Sequence, residues 1–167
     1  MKDEVYLGLG SNIGDRAGNI ISALSLLQSS GYVEIKKISS FYETSPVGYK
    51  QRDFYNIAAR AQTRLSPCDL LAFIKQAELL LGRKASGHWK RRLIDIDILF
   101  YGNLSIENRQ LSLTIPHKEI CRRLFVLIPL NEIAPNFAHP ILNRKINVIL
   151  QNNSLTLINQ KVKIIKI

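Results

Sequence analysis

Apolar and polar positions alternate along residues 4–10, with Val5, Leu7 and Leu9 on one face, and Gly10-Ser11-Asn12 turns the run. This pattern predicts a first strand. Over residues 15–29 the period lengthens: Ile20, Leu24 and Leu27, beside Ile21 and Ala23, recur at helical spacing, and Gly31 ends the helix. Residues 33–42 read as a second strand and 55–65 as a third, separated by a long loop over 43–54 that holds Pro46 and Gly48. Ser66-Pro67-Cys68-Asp69 is a helix start, with Ser at the N-cap, Pro at the first helical position and an acid at the third. That helix is expected to run to Leu81 and stop at Gly82. A second long loop over 82–90 feeds a strand over 92–100. A short extended segment follows at 111–115, then a helix over 116–128. The order β-α-β-β-α-β followed by further helix predicts an α+β fold, a ferredoxin-like and mostly antiparallel sheet with helices packed on it. No internal linker or repeat interrupts residues 1–167, so one domain is expected.

The strand over 92–100 interrupts its own apolar pattern. In Arg92-Leu93-Ile94-Asp95-Ile96-Asp97-Ile98-Leu99-Phe100, Asp95 and Asp97 share one face, about 6.6 Å apart at their Cα atoms. Leu93 and Leu99 fall on that face, and Ile94, Ile96 and Ile98 on the other. Like charges so close on a mostly buried strand raise at least one pKa unless a cation sits between them. Two cations are at hand in principle: Mg²⁺, which seeks oxygen ligands, and the basic run Lys90-Arg91-Arg92. A carboxylate pair holding metal beside clustered guanidiniums suits a polyphosphate. The plainer alternative is two acids on the wet face of an edge strand, each paired with an arginine.

Composition changes this picture in one respect. With 46% hydrophobic and 22% charged residues the chain reads as an ordinary globular protein, yet its formal net charge is +10. That excess implies an anionic partner, although much of it is scattered over a solvated surface. No apolar run is long enough to span a membrane, and residues 1–20 lack a signal-peptide pattern. Cys68 and Cys121 have no metal-like spacing and read as reduced thiols. A cytoplasmic location is expected.

Three further clusters carry chemistry. Residues 82–92 hold Arg83, Lys84, Lys90, Arg91 and Arg92, together with His88 and the sole Trp, Trp89. Arginines there suit phosphate oxygens, with Trp89 as a cover and Gly82 and Gly87 as hinges. Thr114 precedes the expected helix and His117 and Lys118 stand at its entrance, with Arg122 and Arg123 a turn or two on, and a helix start favours anions. Thr44, Pro46, Val47, Phe54 and Asn56 offer backbone groups, a ring and an amide suited to a flat heterocycle, or an ordinary loop with a core aromatic. Gly8-Leu9-Gly10-Ser11-Asn12-Ile13-Gly14 lacks the third glycine of a dinucleotide fingerprint and reads as a structural strand-to-helix turn.

These residues together resemble the 6-hydroxymethyl-7,8-dihydropterin pyrophosphokinases, which transfer pyrophosphate from ATP to a pterin alcohol in folate synthesis. The resemblance spans about 4–142 and rests on Gly8, Gly10-Ser11-Asn12, Ser39-Ser40-Phe41-Tyr42-Glu43-Thr44-Ser45-Pro46, Asn56 and Glu78. It continues through Gly82-Arg83, Trp89, Arg92 to Ile98, Pro116-His117, Arg123, Phe125 and Ile133-Ala134-Pro135. It implies that Asp95 and Asp97 hold two Mg²⁺ ions and that Arg83 and Arg92 engage the phosphates. It further implies that His117, Lys118 and Arg123 contact ATP, that Trp89 closes over it, and that Leu71, Lys75, Glu78, Ile98 and Thr114 line the nucleotide site. Phe54 and Phe125 are expected to sandwich the pterin, with Asn56, Thr44, Pro46, Val47 and Asp95 around its edge. The substrates implied are small molecules, with no nucleic acid and no membrane, and the chain is expected to be a monomer. Residues 143–167 lie beyond the resemblance, with a weak alternation that suits an extra strand pair or an interface. A ferredoxin-like RNA-binding module is the alternative from another class, but the glycine-aromatic pattern such sheets use is absent.

Overall fold

The computed structural model describes residues 2–46, 51–82, 92–154, 157 and 160–167. Two long strands, β1 (Asp3–Ser11) and β4 (Phe54–Thr63), lie side by side at its centre and bury residues on both faces. Val5, Leu7, Leu9, Ile57, Ala59 and Ala61 face one side, whereas Tyr6 and Ala58 face the other. The remaining strands of the main sheet are β2 (Val33–Ile38), β3 (Phe41–Thr44), β5 (Asp95–Tyr101) and β8 (Val162–Ile165). Their order is β5-β1-β4-β3-β8, with β2 also on β4, and every pairing is antiparallel. This is the expected ferredoxin-like α+β arrangement. A separate two-stranded ribbon joins β6 (Ile106–Asn108) to β7 (Leu113–Ile115).

Helices cover both faces. On one side lie α1 (Arg16–Ser29) and α2 (Pro67–Leu80), through Ile20, Ala23, Leu27, Leu70 and Ile74. Both carry local caps: Asp15 accepts from Gly18 N at 3.0 Å, and Ser66 from Asp69 N at 3.2 Å. On the other side lie α3 (Leu124–Ile133) and α4 (Ile146–Ser154), packed on Tyr6, Leu99 and Phe100. Glu132 fastens α3 to the sheet by accepting from Ser40 N and Oγ, each at 3.0 Å, and from the Tyr42 hydroxyl at 2.7 Å. Among the described residues no helix is long and apolar enough to cross a membrane.

Several elements differ from the expected ones. The strand over 33–42 is two strands, because Ser39 interrupts the ladder. Its N–H donates to Ala58 O and its hydroxyl accepts from Ala58 N, both at 2.9 Å, so a side chain replaces one rung. The strand over 92–100 begins its ladder only at Asp95. A bulge at Leu99 then turns both Leu99 and Phe100 toward α3 and α4. The helix over 116–128 is not one helix. A single 3-10 turn (Ile120–Arg122) precedes α3, and Arg123 between them is extended, at φ −128° and ψ 107°. The preceding segment is tied to β5 instead, His117 N donating to Leu99 O at 3.0 Å. Pro116 therefore follows a strand and starts no helix. Of the C-terminal alternation, Val162–Ile165 forms a strand on the β3 edge, while Leu155 lies outside the described residues.

Candidate active site

Strand β5 is an edge of the sheet, and its outward N–H groups need partners. One comes from α2: Glu78, 1% exposed, accepts the Ile96 N–H at 2.7 Å and pairs with Lys75 at 3.0 Å. Ile96 stands between the two aspartates, so this buried carboxylate holds the strand segment that presents them. Asp95 forms an ion pair with Arg92. Half of the plainer alternative is thus realised, an acid on an edge strand beside an arginine. Asp97 is different. Burial and the neighbouring Asp95 charge push its carboxyl above the ordinary carboxylate range, against the pull of His117, Lys75 and Arg123. Burial also lowers the pKa of His117, which Asp97 opposes.

A cavity of about 240 Å³ opens on the α3 side of the sheet. Asp95, Arg92 and Arg123 lie at its charged side, while Thr44, Phe54, Asn56 and Phe125 line the rest, with Pro46 at the rim. Asn56 donates from Nδ2 to Thr44 Oγ1 at 2.7 Å, which fixes its amide plane. Opposite it, a Cβ on Gly10 would stand 2.7 Å from Asn56 Oδ1, so any side chain there must displace the Asn56 amide. A second cleft of about 290 Å³ gathers Thr114, His117 and Lys118 with Arg109 on the ribbon side. Among the described residues no group of three or more His, Cys, Asp or Glu surrounds one point. Two carboxylates remain, a set that fits Mg²⁺ completed by substrate phosphates rather than an all-protein cage.

This geometry can be set beside known proteins. The model of the 7,8-dihydro-6-hydroxymethylpterin-pyrophosphokinase (HPPK) family matches residues 6–135. The chain belongs to this family. It is 41% identical over 152 residues to the 2-amino-4-hydroxy-6-hydroxymethyldihydropteridine pyrophosphokinase of Aquifex aeolicus, covering 90% of this chain and 92% of that protein. It is 49% identical over 132 residues to the Bifunctional protein FolKE of Lactococcus lactis subsp. cremoris, covering 78% of this chain but 37% of that protein. The chain therefore spans well under half the length of its bifunctional relatives. A Plasmodium falciparum HPPK-DHPS crystal structure shares the fold, with a TM-score of 0.75 at 19% identity over 94% of this chain and 46% of that one.

In this HPPK chain the expected residues divide into three sets. Thr44, Pro46, Phe54, Asn56, Arg92, Asp95, Arg123 and Phe125 meet at one cavity. Thr114, His117 and Lys118 meet at the second cleft, and His117 and Lys75 both bear on Asp97. Ile98, 4% exposed, lies in the core, and Leu71 on α2 packs partly buried against the same cluster. Arg83, Trp89 and Val47 lie outside the described residues, as do Lys84, Gly87, His88, Lys90 and Arg91. His117 does not sit at a helix start, since the nearest one begins after Arg123.

Gly8 and Gly10 lie within β1, inside the strand expected over 4–10. Gly10 lines the cavity against Asn56, and the turn itself uses Gly14 at φ +60°. Asn12, expected only as a turn residue and part of the resemblance, also holds the backbone beside the site. It is 2% exposed, accepts from Arg92 N at 2.8 Å, donates its own N–H to Arg92 O at 3.1 Å and reaches Gln51 at 3.1 Å. A buried amide directly after a strand was the available signal.

Proposed function

We propose that this chain transfers pyrophosphate from ATP to the hydroxyl of 6-hydroxymethyl-7,8-dihydropterin, giving AMP and the pterin diphosphate for tetrahydrofolate synthesis. The observation that carries this reading is the meeting of Asp95, Arg92 and Arg123 in a cavity walled by Phe54, Asn56 and Phe125, with Asp97 two residues along the same strand and crowded by the Asp95 charge. A divalent cation would relieve that crowding, and phosphate oxygens would then take up Arg92 and Arg123. Arg123 strengthens the point, because a cation at a helix N-terminus opposes the helix dipole unless an anion joins it.

Asp95 and Asp97 would hold Mg²⁺, two ions in this reading, which when bound supplies charge neutralisation on the phosphates and acidifies the attacking hydroxyl. The hydroxyl oxygen attacks the β-phosphorus, the bond from that phosphorus to the α,β-bridging oxygen breaks, and AMP leaves with that oxygen. Arg92 and Arg123 stabilise charge on the transferred group and the leaving group. Phe54 and Phe125 flank the pterin, and Asn56 with Thr44 reads its edge. Thr114, His117, Lys118 and Lys75 face the nucleotide, together with Arg83 and Trp89, which stand between α2 and β5 in the sequence; Leu71, Glu78 and Ile98 support it from beneath. Catalysis then rests on positioning and charge stabilisation, with no covalent intermediate. The protein acts as a cytoplasmic monomer on small molecules alone.

An RNA-binding sheet of this fold needs an open face bearing aromatics, whereas α1–α2 and α3–α4 cover the two faces here. The test is AMP release from ATP and Mg²⁺ with and without the hydroxymethyl-dihydropterin. Release that depends on the pterin supports the reading, and release indifferent to it, or none, overturns it.

A further inference from the structure

The segment after residue 143 lies beyond the family match, yet it touches both walls of the cavity. Helix α3 starts without a local cap: Arg123 occupies the N-cap position and makes no capping bond. The missing partner comes from a position 36 residues away in sequence, where Gln160 Oε1 accepts the Leu124 N–H at 2.9 Å. The same amide donates from Nε2 to Arg122 O at 2.9 Å, so one side chain brackets Arg123 on both sides. Asn153 adds a third tie, donating to Cys121 O at 2.8 Å. Immediately after Gln160, Lys161 N donates to Ser45 Oγ at 3.3 Å and Lys161 O accepts from Ser45 N at 3.2 Å. Val162 then pairs with Thr44.

We propose that Gln160 is a positioning residue for the active site: its carboxamide fixes Arg123 and Phe125 on one wall, while β8 fixes Thr44 and Ser45 on the other. An amide suits this task because it offers a donor and an acceptor in one rigid plane. Neither Ala nor a shorter side chain can span an N–H and a C=O that flank a single residue. Arg123 has extended backbone between two helical pieces: its C=O accepts from Val126 N and Leu127 N, each at 3.0 Å, and its Nε lies 3.8 Å from Glu119 Oε2. The clamp adds to these ties by fixing the peptide groups on either side of it.

This inference rests on the pyrophosphokinase reading for the meaning of Arg123, so the test has two arms. In the first, Gln160→Ala is compared with the unaltered chain well below the melting temperature, with kcat and KM measured for each substrate. The expected result is a fall in kcat/KM of about ten- to a hundredfold, the scale of a misplacement of about 1 Å. A lowered melting temperature with unchanged kcat/KM overturns the proposal, since that is what a purely structural cap would give. In the second, the Arg123 Nε–H and Phe125 ring resonances are followed by NMR without substrates. Broadening in the variant supports the clamp, and unchanged resonances overturn it even where the unaltered chain makes no AMP, a result that would sink only the functional reading. Should Gln160→Ala not fold, Gln160→Glu retains the acceptor for Leu124 N–H, removes the donor to Arg122 O, and is read in the same way.

Discussion

Helix α2 begins with Ser66, Pro67 and Asp69, a local cap followed by an acid in the first turn, whereas α3 begins with Arg123, has no local cap and contains Pro129. The contrast extends to the two layers. The α1–α2 layer packs aliphatic side chains on the sheet and takes its helix-start caps from adjacent residues. The α3–α4 layer carries the cavity, puts a cation where the dipole disfavours it, and depends on groups far away in sequence: Glu132 to Ser40, Gln160 to Leu124, His117 to Leu99. The α1–α2 layer starts its helices by local rules and reaches the site through Lys75 and Glu78 on α2. The layer that builds a charged site breaks those rules and is held in place by long-range hydrogen bonds.

The largest expected effect breaks the site side of this comparison. Asp97→Ala should remove turnover by several kcal/mol of barrier, on the order of 10³-fold or more, while the metal-free protein melts no lower than the unaltered chain. Loss of activity through unfolding, seen as a lower melting temperature, would count against the role. Gly10→Ala comes next. Its Cβ must displace Asn56 Oδ1, so kcat/KM for the pterin should fall by about tenfold or more, with about 1–3 kcal/mol lost in denaturant unfolding. An unaffected pterin KM would show that Asn56 does not read that substrate.

On the supporting layer, Ser66→Ala should cost about 1 kcal/mol of stability and leave kcat/KM unchanged. An altered kcat/KM would erase the division between the layers. The smallest effect concerns pH. His139 lies buried against Phe100, and Nδ1 accepts from Ile141 N at 3.3 Å and Leu142 N at 3.4 Å. Burial holds its pKa below the ordinary value of 6.5, so the unfolded chain binds the proton first. Stability is then complete above about pH 6.5 and declines as pH falls below it. Melting curves of His139→Gln should show a shallower decline over that window, and identical slopes would contradict this assignment.

How far the chain could be read in advance depended on how local each signal was. Ser66-Pro67-Cys68-Asp69 and the 3.6-residue spacing of Ile20, Leu24 and Leu27 located α1 and α2 to within a residue or two. The i, i+2 spacing of Asp95 and Asp97 implied a raised pKa, and burial with the Asp95 charge raises that of Asp97, while Asp95 lines the cavity. The readings that failed each involved a distant partner. Ser39 bonds to Ala58 and splits a strand; Leu99 binds His117 and removes the start of a helix; Asn12 holds Arg92 across 80 residues. A window of neighbouring residues contains none of those partners.

By itself the amino-acid order determined the sheet class, the two capped helices, the acidic pair and the family, because periodicity, capping and motif spacing act over a few covalent neighbours. Tertiary structure alone decided that Gly10 must make room for Asn56, that Glu78 serves the strand edge, and that Gln160 completes the start of α3. Those outcomes depend on hydrogen-bond geometry and excluded volume between segments, which exist only once the layers have packed.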